Sequence, residues 1–86
     1  MGLNEFRDEA RDFLVKIGQS EQDTSEIFPM LDREIALLKS SINNREKLRH
    51  KIYDVLFLLF ELASIGDFDL DLEWKKGRSK KQEKYL

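Results

Sequence analysis

The sequence contains no cysteine. A disulfide framework, a thiolate zinc site and a cysteine nucleophile are all excluded, and a reducing compartment is compatible. Histidine is nearly absent as well: His50 is the only one, set between Arg49 and Lys51 on a polar stretch. No serine or aspartate is spaced to specify a triad with it, so His50 reads as a solvated surface residue. Long apolar runs are missing, the longest being Val55 to Phe60, far below the roughly 20 residues needed to span a bilayer. No membrane partner is expected. Met1 to Arg11 is charged from the start and carries Glu5, Asp8 and Glu9. Neither a secretory signal nor a transit peptide has that composition, so a cytoplasmic location is expected.

What is present is helical and charged. The 86 residues suit a single helical domain, 1–86, and a domain this small buries only about 60–65% of its unfolded surface. Charged residues make up 37% of the chain, and the net charge is −2. That total hides an asymmetry: residues 75–86 hold six cations against one acid, a balance of +5, which leaves −7 on the rest. A basic C-terminal tail on an acidic body either meets phosphate groups or is a solvated helix end. Of the aromatics only Tyr85 reads as interleaved with the cations, which favours the solvated reading.

Apolar periodicity predicts four helices, at about 3–17, 27–41, 44–65 and 69–83. Phe6, Ala10, Phe13, Leu14 and Ile17 mark the first, and Gly18 follows where a positive φ ends it. Residues 18–26 have no apolar side chain and read as a loop, and Pro29 falls in the first turn of the second helix. Ile27, Leu31, Ile35, Leu38 and Ile42 form that helix's stripe. Asn43 with Glu46 suggests a capping box for the third helix, and Gly66 its stop. In the third helix Leu48, Ile52, Val55, Leu59 and Leu62 form a seam, while Tyr53, Phe57 and Phe60 cover another side. A helix apolar on two sides exceeds what three short helices can cover. A homo-oligomer, dimer or tetramer, with Phe57 and Phe60 at the interface is therefore expected. Gly77 inside the fourth helix suggests a bent or frayed end.

Carboxylates supply the candidate chemistry. Asp67, Asp69 and Asp71 have the spacing of a calcium loop, but its glycine and glutamate positions hold Leu72 and Arg78. Helix capping is the better reading. Asp32, Glu34 and Asp54 stand beside apolar faces of the second and third helices. Carboxylates at a core edge are paired or hold a metal. The pairing partners would be Arg33 and Lys51; the metal would be Mg²⁺ held between facing helices.

Lys51-Ile-Tyr-Asp-Val-Leu-Phe-Leu-Leu-Phe-Glu-Leu-Ala, then Gly66-Asp-Phe-Asp-Leu-Asp-Leu-Glu and the basic end to Tyr85, resembles the MazG-like all-α nucleoside triphosphate pyrophosphohydrolases. Leu31-Asp-Arg-Glu-Ile-Ala-Leu-Leu lies at the distance of that family's first metal-binding helix. The resemblance implies a four-helix MazG-like bundle, and chemistry that converts a nucleoside triphosphate to its monophosphate plus pyrophosphate with Mg²⁺. Its metal motifs are Glu-Glu-x-x-Glu and Glu-x-x-Asp. They fall on Arg33, Glu34 and Leu37, and on Lys51 and Asp54, so two acids of five remain. Glu34 and Asp54 are thus the candidate metal ligands, and Arg33, Leu37 and Lys51 are substituted motif positions. The family's phosphate-holding Lys and Asn fall on Gly77 and Lys81. Lys76, Lys80, Lys81 and Lys84 are the candidates for holding phosphate.

The resemblance therefore points to a pyrophosphohydrolase-family protein with a degenerate metal site, a nucleotide partner, and weak or no hydrolase activity. The alternative is a helical oligomeric module that binds protein or nucleic acid through the basic tail. The segment from Leu31 to Leu38 also resembles a chorismate-mutase helix, but the Asn43-Asn44 break interrupts the long helix such a protein needs.

Overall fold

Side-chain caps decide where the helices begin. In the computed structural model, which describes residues 2–86, α1 spans Leu3–Lys16, α2 Thr24–Ser40, α3 Arg45–Gly66 and α4 Leu70–Tyr85. The all-α, four-helix architecture is the one the periodicity predicts. α2 starts three residues before the expected boundary because Asp23 caps it, accepting the Glu26 backbone N–H at 3.2 Å and bonding the Ser25 hydroxyl. Those bonds hold the Asp23 carboxyl below its ordinary range, the Ser25 bond most of all. Pro29 consequently sits inside α2 rather than in its first turn, and the Ser25 carbonyl loses its helical N–H donor.

Asn44, not Asn43, caps α3, accepting from the Lys47 backbone N–H at 3.1 Å. α3 includes Gly66, and the left-handed residue that ends it is Asp67, at φ 52°. The Asp67 N–H then bonds the Ser64 carbonyl and the Phe68 N–H the Ala63 carbonyl, the paired closure of a Schellman motif. Gly66 is needed for a different reason: a Cβ there would overlap the Phe68 ring. At the end of α1, Gly18 does take the positive φ, 74°, expected of it.

α3 is the central helix. It packs on α2, to which a short turn joins it as an αα-hairpin, and on α1. Ile27, Leu31 and Leu58 form the buried centre, with Met30, Ile35, Val55 and Leu62 around it. Leu58 takes the place expected of Leu59, which is exposed along with Ile52, and Ile42 lies outside the core altogether. With apolar residues nearly all round α3, periodicity alone does not choose among its faces.

α4 contributes no buried residue, and its main contact is with α1. Its helix continues through Gly77 to Tyr85. The radius of gyration is 14.7 Å, against about 12 Å for a compact chain of this length. α4 therefore stands away from the core, tied at its start. Asp71 accepts the Leu3 N–H at 2.7 Å, Asn4 accepts the Leu70 N–H at 2.8 Å, and the Asn4 amide donates to Asp69 at 2.9 Å. Asp69 is also the N-cap of α4. The acidic triplet thus closes helix ends, while Asp67 pairs with Arg11 at 3.4 Å. No helix among the described residues is long and apolar enough to cross a membrane.

Candidate functional site

Glu34 on α2 and Asp54 on α3 are brought together, and Lys51 lies between them. Its Nζ is 3.1 Å from Glu34 Oε2 and 3.3 Å from Asp54 Oδ2. The hairpin explains the meeting. Glu34 is on the helix facing α3, and Lys51 and Asp54 are one turn apart on α3 itself. The two bonds, Glu34's being the stronger influence, push the Lys51 ammonium above its usual pKa. Lys51 therefore stays charged throughout the physiological range. Arg33 was expected to share the pairing; it is exposed and forms no ion pair among the described residues, because Lys51 alone reaches both acids. Leu37 is exposed one turn further along α2, and Asp32 is exposed as well.

The arrangement does not fit a resident Mg²⁺. A divalent ion would have to sit where the ammonium already bonds both carboxylates, and the like charges repel. Beside the triad lies a cleft of about 440 Å³ whose edge carries Arg33, Glu34 and Asp54 and whose wall includes Phe13, Tyr53 and Phe57. Phe13 meets Phe57 edge-on at 5.8 Å, and Tyr53 meets Phe57 at 6.2 Å. Such a cleft offers a face for a flat ring, acceptors for its N–H groups and one cation for an anion.

The expected phosphate-holding lysines are not at this cleft. Lys76, Lys80, Lys81 and Lys84 all lie exposed on α4, which contributes nothing to the cleft wall. Lys76 is 4.0 Å from Glu73, and Lys84 lies over the Tyr85 ring. Phe57 and Phe60 are half-buried under aromatics of α1, Phe60 meeting Phe6 at 5.9 Å. His50 is exposed.

Glu61 is the titratable residue the sequence reading did not single out. It is only 4% exposed, Oε2 has no hydrogen-bond partner, and burial pushes its carboxyl pKa up. The signal was its place in the apolar run Leu58-Leu-Phe-Glu-Leu-Ala. Comparison with protein-family models, with curated proteins and with solved structures gave no match.

Proposed function

We propose that this chain is a MazG-like nucleotide pyrophosphohydrolase-family protein that has lost metal-dependent hydrolysis and retains a ligand cleft. The observation that carries the proposal is Lys51 bridging Glu34 and Asp54 on facing helices. These are the two acids that match the family's metal motifs, and a fixed ammonium supplies the positive charge they need. Lys51 bonds both carboxylates and offsets one of their two charges, but it offers no open coordination position to polarise a phosphoryl oxygen or acidify water. The aromatic wall and Arg33 suit a nucleotide bound without turnover.

The test is pyrophosphate release from each common nucleoside triphosphate at millimolar Mg²⁺ or Mn²⁺, beside equilibrium binding of the same nucleotides. Binding with background turnover is expected. Robust turnover abolished by Glu34→Gln or Asp54→Asn would restore an ordinary family enzyme and overturn the proposal.

A second reading, an interaction module that docks through α4, is favoured by the exposure of that helix over residues 71–86. Docking on phosphate would weaken steeply with salt.

A further inference from the structure

We propose that α4 docks on a second copy of this chain, its stripe Trp74, Arg78 and Lys81 lying along the α1–α3 groove beside Glu5, Glu9 and Asp12. The inference rests on the docking reading of α4 and names its partner. Trp74 is 66% exposed on a helix that buries nothing in its own chain. It shares one face with Glu73, Gly77, Arg78 and Lys81; Glu73 is paired with Lys76 at 4.0 Å, so an aromatic is interleaved with the cations Arg78 and Lys81 after all. Tryptophan and arginine are the residues that most often anchor interfaces.

The groove has the complementary character. It encloses about 440 Å³ between α1 and α3, with Phe6, Phe13, Leu56 and Phe60 among its walls and Glu9 at its edge. No residue of α4 lines it in the same chain. Glu5, Glu9 and Asp12 are exposed along α1 at the i, i+4, i+7 spacing that Trp74, Arg78 and Lys81 repeat on α4. Among the described residues, none of these acids and neither of these cations has an ion-pair partner. An amphipathic helix in an apolar groove is an established docking mode.

A second copy is favoured over an unrelated partner by charge. The tail carries +5 and the rest of the chain −7, so each copy offers both halves of the contact. Exchange of arms about a two-fold axis is self-complementary and closes at a dimer. Reciprocity also doubles the buried area, towards the roughly 1,200–2,000 Å² of a stable interface.

Trp74 is the only tryptophan and reports directly on its own burial. Sedimentation and Trp74 emission should be followed together over a micromolar dilution series of the full chain. The expected result is a dimer whose formation shifts the emission to the blue, with a Kd rising about tenfold or more between ~0.05 M and ~0.5 M salt. Glu9→Lys with Asp12→Lys should give a monomer, Arg78→Glu with Lys81→Glu likewise, and the four changes in one chain should restore the dimer. Trp74→Ala should dissociate the copies without unfolding the chain, since Trp74 belongs to no core. Three results overturn the proposal: a monomer at all concentrations; a dimer with water-exposed Trp74 that tolerates both charge reversals; or Trp74 responding to duplex DNA and not to a second copy. The last would leave the docking reading standing and remove only its partner.

Discussion

Asp71 caps a helix other than its own: its carboxylate accepts the backbone N–H of Leu3, 68 residues away, at 2.7 Å. The Gly2 position that precedes α1 has no side chain to do this, so the first turn of α1 draws its acceptor from the first turn of α4. Asn4 returns the favour by accepting the Leu70 N–H. Each helix start therefore depends on the other.

Asp71→Ala should accordingly destabilise the chain by about 1 kcal/mol, the usual effect of losing an N-cap. Amide exchange should accelerate in the first turn of α1 and of α4 together, because the bonds are reciprocal. Acceleration confined to α4 would show that α1 does not depend on Asp71.

The element types were legible in the sequence because three- and four-residue periodicity and turn formers are local signals. α2's early start was legible too, in Asp23-Thr-Ser-Glu26, but the lack of apolar side chains there favoured a loop. The face of α3 was not legible. Leu58 and Leu59 are chemically equal, and only the position of α2 decides which is buried. At the candidate site, pairing of Glu34 and Asp54 with cations followed from residue types. That Lys51 holds both acids and Arg33 neither depends on side-chain reach across the hairpin. The caps between Asp71, Leu3 and Asn4 join the two ends of the chain and leave no local pattern.

Glu61 should make the protein less stable as pH rises. Burial raises its carboxyl pKa, so the folded chain keeps a proton that the unfolded chain has already released. Stability then falls from the ordinary carboxylate range up through the raised value and levels off above it. Glu61→Leu removes an unpartnered buried oxygen and should stabilise the chain near pH 8 by about 1–3 kcal/mol. The gain should shrink in acid. A gain that does not vary with pH would show that Glu61 is not the titrating group.

Within a monomeric preparation, α4 should be the fastest helix in amide exchange, since none of its residues is buried and its cations repel one another. Protection from Arg78 to Lys84 that grows with protein concentration is expected if the helix docks on another copy. Strong protection at high dilution would place α4 against its own chain instead.

The final prediction concerns the ammonium between the carboxylates. Lys51→Glu exchanges the bridging cation for a third acid beside Glu34 and Asp54, at the position where the motif of the proposed family carries one. Three clustered carboxylates repel one another without an ion, so the variant should melt below the wild type in chelator. Added Mg²⁺ should then reverse the loss by linkage, each tenfold of free ion above the Kd contributing about 1.4 kcal/mol. The wild type should show no such response, because both carboxylates are already bonded to a tethered cation that occupies the place of the ion. Lys51→Met serves as the control: it removes the cation without adding a ligand, and should lose stability while gaining less from Mg²⁺ than Lys51→Glu. Hydrolysis is not expected to return in either variant, since Arg33 and Leu37 stand where the motif of the proposed family has two further acids. An equal Mg²⁺ response in wild type and Lys51→Glu would mean that Lys51 moves aside for the metal, and the reading of the site as permanently closed would fail.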